Sequence, residues 1–193
     1  MAVTSVMIVG VGGQGTLLAS KILGKVLTDG GFDVKVSEVH GMSQRGGSVV
    51  TYVRWCPPEE AVASPLIDKG EADYILSFEE LEAARWLPYL KQGGKVITNT
   101  RQLNPMPVVT GAAVYPQGCT QAVEAACGKV KAVDALALAQ EAGSQRAVNV
   151  VLLGTLAREL PFSSAAWEAA ITACVKPAFA DMNKRAFAVG LAA

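Results

Sequence analysis

The chain opens on an apolar run at residues 6–9, crosses a glycine cluster, and continues with apolar residues at helical spacing, Leu18, Ala19, Ile22, Leu23, Val26 and Leu27. This change of period predicts a strand over residues 5–9, a tight turn, and an amphipathic helix stopped by Gly30 and Gly31. Val34 and Val36 alternate with polar neighbours as a second strand ending near Val39. The first forty residues therefore read as strand, helix, strand, with the length of a parallel crossover.

A polar, glycine-rich stretch at residues 40–47 follows, and residues 49–55 then read as a third strand. Pro57, Pro58 and Pro65 mark a loop. A strand over residues 73–77, a helix over 79–90 and a strand over 95–99 restore the alternation of a doubly wound sheet. The second half predicts helices near residues 120–127, 134–140, 147–160 and 163–174, with a last one after Pro177. Residues 148–156 carry no charge, so that helix is expected to be buried on most sides. The fold expected is one α/β domain over residues 1–193, Rossmann-like, with a mostly parallel sheet and a helix-rich C-terminal part.

Composition narrows the partners. Seventeen basic residues balance seventeen acidic ones, so no net field attracts nucleic acid or an anionic membrane. Half the residues are hydrophobic and only 18% are charged, which hints at a surface covered by another chain. Residues 102–123 carry no charge, but Pro105, Pro107 and Pro116 exclude a membrane helix there. With no basic segment before the short apolar run at residues 6–9, the protein is expected to be cytoplasmic. Cys56, Cys119, Cys127 and Cys174 never approach within a C-x-x-C spacing, so no metal or iron–sulfur site is expected, and the thiols read as small packed groups.

Two stretches carry candidate chemistry. Gly10, Gly12, Gly13, Gln14 and Gly15 fit G-x-G-x-x-G between a predicted strand and a predicted helix. Bare backbone can approach a phosphate there, and the N–H groups and dipole at the helix N-terminus favour negative charge. A tight turn without a ligand would use the same glycines. The second stretch holds Glu38, His40, Ser43, Gln44, Arg45, Gly46 and Gly47; Arg45 beside two glycines is a candidate anion contact, and the polar residues are candidate loop contacts. His40 is the single histidine and has no partner for a triad or a metal site. Glu38 stands where a nicotinamide enzyme holds its ribose, yet the chain then enters a loop and a strand instead of a helix, which makes a dehydrogenase the second choice.

Taken together, MIVGVGGQG at residues 7–15, EVHGMSQRGGSVVTYVRW at 38–55 and SPLIDKGEADYILSFEELEA at 64–83 resemble the γ-type subunits of the 2-oxoacid:ferredoxin oxidoreductases. AVNVVLLGTLA at 147–157 and NKRAF at 183–187 extend the likeness over nearly the whole chain, most closely to the β subunit of the indolepyruvate type. The resemblance implies a small subunit of an enzyme that oxidatively decarboxylates a 2-oxoacid to an acyl-coenzyme A and passes electrons to ferredoxin. It further implies that thiamine diphosphate and the iron–sulfur clusters reside in a large partner subunit. Coenzyme A is then the candidate ligand of the glycine loop. A ligand-free interaction subunit and a nucleotide-binding oxidoreductase stay open as alternatives.

Overall fold

The computed structural model of the protein describes residues 3–39 and 46–193. Its first element, β1 (Thr4–Val11), leads through the glycine turn into α1 (Thr16–Asp29), β2 (Asp33–Val39), β3 (Ser48–Cys56) and β4 (Ala72–Ser77). Next come α2 (Glu80–Trp86), β5 (Leu90–Asn99), the single turn α3 (Met106–Val109), α4 (Cys119–Cys127) and β6 (Val130–Val133). The chain ends in helices, α5 (Ala135–Glu141), α6 (Val148–Ala157), α7 (Ser164–Cys174) and α8 (Ala180–Ala192).

The six strands form one sheet in the order β2-β3-β1-β4-β5-β6. β1, β4, β5 and β6 run parallel, whereas β3 is antiparallel to both β1 and β2. The expected strand, helix, strand unit is present, but β2 does not pair with β1. β3 occupies the place beside β1 and pushes β2 to the edge.

Both faces of the sheet are covered. Val6 and Ile8 of β1 point into a core built with Ile22, Leu23 and Leu27 of α1 and the apolar residues of α6, while Met7 and Val9 meet Ile75, Ala83, Val96 and Val123 beneath α2 and α4. This alternation is the period-2 pattern of a strand buried on both sides. All ten residues of α6 are buried, as its uncharged sequence predicts. α6 packs directly on α8, backbone to backbone, at Gly154 and Gly190, where any side chain would meet a carbonyl or amide of the other helix.

The helix expected over residues 79–90 ends earlier. α2 stops at Trp86, a 3-10 turn spans Leu87–Tyr89, and Leu90 already begins β5. Pro88 supplies the reason, since it has no N–H to continue the helical ladder. Two elements were not anticipated: β6 is only four residues long, and α3 interrupts the charge-free stretch after β5. Among the described residues, no helix is long and apolar enough to cross a membrane.

Candidate functional site

The sequence-predicted glycine loop connects the C-terminal end of β1 to the N-terminus of α1, as the alternation pattern requires. Crossovers leave β1 toward β2 on one side and β4 toward β5 on the other, so the gap between β1 and β4 is a topological switch point, where α/β sheets hold ligands. The glycines there divide by task. Gly10 lies within β1, where an added side chain would run into Gln14 and Phe78. Gln14 turns inward: its Oε1 accepts the Val11 N–H at 2.7 Å and its Nε2 donates to the Phe78 carbonyl at 3.0 Å. It ties the ends of β1 and β4 together, and its amide is engaged within the fold.

Gly12 extends the β1–β3 ladder. Its N–H donates to the Gly47 carbonyl at 2.9 Å, and its carbonyl accepts the Gly46 N–H at 3.4 Å. Gly13 and Gly15 have φ of 98° and 86°, left-handed values that a side chain rarely adopts. Gly15 is the N-cap of α1, and among the described residues no side chain caps that helix. The N-terminus of α1 borders a cleft of about 320 Å³ lined by Gly12, Gly13, Gly15, Thr16, Leu17 and Val39, and its first-turn N–H groups have no partner within the helix itself. This is the arrangement that receives an anion, combining N–H donors with the positive end of a helix. Behind it, Asn149 at the start of α6 donates its Nδ2 hydrogen to the Gly15 carbonyl at 3.2 Å and its Oδ1 accepts the Val150 N–H at 3.0 Å.

Of the second candidate stretch, Glu38, Gly46 and Gly47 fall within the described residues; His40, Ser43, Gln44 and Arg45 lie outside them. Glu38 accepts a hydrogen bond from Ser20 Oγ on α1 at 3.2 Å. It stands at the end of β2, two strands from β1, so about 10 Å of sheet separates it from the glycine turn where a paired second strand would leave about 5 Å. That spacing weighs against the nicotinamide reading. Gly46 and Gly47 line a second cleft, of about 390 Å³, on the β4 side of the β1–β3 ladder.

Beside the second cleft stands a group of acidic residues that sequence reasoning passed over. Glu79, Glu80 and Glu82 at the start of α2 are all buried, and Glu79 and Glu82 line the cleft. Glu79 caps α2 by accepting the Glu82 N–H at 2.9 Å, and it also accepts the Leu103 N–H at 3.0 Å and the Tyr115 hydroxyl at 2.5 Å. Glu80 accepts from Gln102 Nε2 at 2.7 Å and from the Thr120 N–H at 3.0 Å. Glu82 is paired with Arg85 at 3.0 Å and accepts hydrogen bonds from Trp86 Nε1 at 3.2 Å and from Ser48 Oγ. Negative charge at a helix N-terminus is favourable, and each carboxylate has the donors that a buried charge needs.

These contacts set the local acidities. Burial alone would raise the Glu80 carboxyl, but the donors from Gln102 and Thr120 outweigh it and hold its pKa below the usual carboxylate value. The Tyr115 hydroxyl is pushed far up, first by burial and then by the Glu79 carboxylate it serves. Burial also raises the Cys119 thiol, with Glu80 and Glu79 adding to it. Glu79 and Glu80 together fasten residues 102–120 at both ends, so the charge-free stretch becomes an arm over the second cleft. The available signal was FEELEA, three acids opening a helix, but partners 20 to 40 residues away cannot be read from it.

Residues 5–193 match the family described as pyruvate ferredoxin/flavodoxin oxidoreductase. The chain belongs to that family. It is 44% identical over 194 residues to the indolepyruvate oxidoreductase subunit IorB of Thermococcus kodakarensis, covering 98% of this chain and 95% of the relative. The same subunit of Pyrococcus horikoshii is 43% identical with equal coverage. Among solved structures, the γ subunit of a keto/oxoacid ferredoxin oxidoreductase from Geobacter sulfurreducens shares the fold with a TM-score of 0.75 at 23% identity, over 100% of this chain and 96% of that one. A 2-oxoglutarate:ferredoxin oxidoreductase from Magnetococcus marinus, solved with 2-oxoglutarate, coenzyme A and succinyl-CoA, shares it with a TM-score of 0.72 at 18% identity, over 100% of this chain and 31% of that longer one. Family membership agrees with the fold expected from sequence, a sheet of mostly parallel strands wound on both sides.

Proposed function

We propose that this member of the family is the small subunit of an indolepyruvate-type 2-oxoacid:ferredoxin oxidoreductase, working in the cytoplasm with a larger subunit. The likeness to the IorB subunits over nearly the full length of both chains carries this reading. In such an enzyme a 2-oxoacid and coenzyme A yield an acyl-coenzyme A and carbon dioxide, two electrons leave to ferredoxin, and the thiol proton of coenzyme A is released. Thiamine diphosphate and iron–sulfur clusters in the larger subunit supply the carbanion and electron-transfer chemistry.

The present chain's part is to bind. The N-terminus of α1, without a side-chain cap among the described residues, and the bare turn at Gly13 and Gly15 suit a phosphate group of coenzyme A, and the N–H donors of that turn orient it without a counter-ion. Arg45 adds a guanidinium able to take two phosphate oxygens at once. Gly12, Gly46 and Gly47 shape the approach as backbone wall, while Gly10 and Gln14 hold the strand ends that set the turn. His40 and Ser43 with Gln44 are further loop contacts in this reading.

The test combines the purified chain with its larger subunit under anaerobic conditions and follows indolepyruvate-dependent reduction of a viologen dye. Turnover should require both chains and coenzyme A. Activity of the larger subunit by itself at the full rate, or an indifference to indolepyruvate alongside turnover of other 2-oxoacids, would overturn the assignment.

A further inference from the structure

Large apolar side chains are unevenly exposed on this molecule. Of the eight most exposed among the described residues, five stand at the end of the sheet that carries the two clefts: Leu17, Val39, Met106, Val109 and Val114. Met106, Val109 and Val114 belong to the arm and are 67%, 64% and 87% exposed. The arm is fastened through polar bonds from Leu103, Tyr115, Gln102 and Thr120 to the buried carboxylates of Glu79 and Glu80. The two ends of the arm are thus tied down, while its middle leaves three large apolar side chains in solvent.

The arm itself is uncharged over positions 102–123; the charges at this end, Glu79, Glu82 and Arg85, lie in the cleft beneath it, and the far end of the sheet has a cleft lined by Lys91, Lys95, Lys129, Asp73 and Glu159. An uncharged apolar rim gains nothing from a charged partner and excludes water best against an apolar one. It also borders the proposed ligand cleft: Leu103 to Pro107 face Gly46 and Gly47 across the second cleft, and Gly12 joins that wall to the α1 N-terminus.

We propose that the arm of residues 103–118 is the docking element for the larger subunit, whose apolar surface covers Met106, Val109 and Val114 and closes the cleft end of the sheet. This rests on the assembly reading above. A subunit that binds coenzyme A for chemistry carried out in its partner must turn the ligand-bearing end toward that partner. The arm is the rim of that end.

Three variants test it with both full chains: Val109→Glu, Val114→Asp, and Phe179→Glu as a control on an exposed apolar residue outside the arm. Association of each with the larger subunit is measured by titration calorimetry, next to a thermal melt and a coenzyme A titration of the small chain alone. The arm variants should weaken association by about tenfold or more, with the melt and coenzyme A affinity unchanged, and the control should leave association intact. Equal affinity for arm variants and native chain would overturn the docking assignment while leaving the assembly reading in place. A native chain that fails to bind the larger subunit would sink that reading first, and this inference with it. Self-association of the lone chain that is abolished by the arm variants would assign the rim to a second copy and overturn the proposal as well.

Discussion

The hydroxyl of Tyr115 donates to the buried carboxylate of Glu79 at 2.5 Å, across 36 residues of sequence, and accepts the Leu81 N–H at 3.1 Å. One phenol thereby joins the end of the arm to the N-terminus of α2. Because Glu79 also caps that helix and receives Leu103, the start of the arm, its end and the helix depend on one another. The charge-free stretch is held in place by charge beneath it.

Tyr115→Phe should therefore cost about 1.5–3 kcal/mol of stability, the range for a hydrogen bond to a charged group. Denaturant unfolding measures the loss, and limited proteolysis should locate it, with cutting within residues 103–118 accelerating before the sheet opens. A loss below about 0.5 kcal/mol with unchanged proteolysis would show that the arm is held by packing instead.

Alkaline pH probes the same contact. The Tyr115 pKa is raised in the fold, so its contribution is fully present below the unfolded value near 10.0 and declines as pH rises beyond it. Native protein should lose stability above about pH 10 more steeply than Tyr115→Phe, which has no phenol to ionise. Parallel profiles for the two would contradict the assigned contact.

Acid acts through Glu80 with the opposite sign. Its folded pKa is lowered, so the stability it provides is present above the ordinary value of 4.5 and is lost as pH falls through the folded value. Unfolding free energies between neutral pH and that acid range should fall more gently for Glu80→Gln than for the native chain. An identical slope would mean that Gln102 and Thr120 do not stabilise the charged form.

At the glycine turn, Gly15→Ala meets two obstacles, a φ of 86° and contact with Asn149 Nδ2 at 2.8 Å. It should destabilise by about 1–3 kcal/mol, the scale of a residue forced into a left-handed conformation. Removing the amide in Gly15→Ala with Asn149→Ala relieves the contact but not the φ, so the pair should be less than additive in a double-mutant cycle. Gly13→Ala differs, since a side chain there meets open space within 4 Å. It should cost stability only through its φ of 98° and should weaken coenzyme A binding, and Arg45→Ala should weaken the same binding by about 1.5–3 kcal/mol. Titration of the folded variants with coenzyme A reads both; undiminished affinity in each would return the loop to a purely structural turn.

Where α6 crosses α8, backbone alone separates the helices. Gly190→Ala would press a methyl group against the Val151 carbonyl, and the neighbouring backbone cannot swing aside as a flexible side chain would. A cost of about 2–3 kcal/mol, the upper part of the overpacking range, is expected in thermal or denaturant unfolding.

The sequence alone determined what depends on local period and punctuation. Val6 to Val9 followed by Gly10, Gly12, Gly13 and Gly15 and a helical repeat define β1, the turn and α1, because strand and helix periods differ and glycine alone suits that turn. The uncharged run in α6 likewise announced a buried helix. Tertiary structure decided what depends on distant partners. It placed β3 between β1 and β2, a choice of strand pairing that no local period encodes, and so removed Glu38 from the glycine turn. It turned Gln14 inward to Phe78, set Asn149 behind Gly15, and made Glu79 and Glu80 the buried anchors of an arm. Each of those side chains is satisfied by a donor or acceptor far away in sequence, and hydrogen-bond partners brought together only by folding leave no mark in the spacing of residues along the chain.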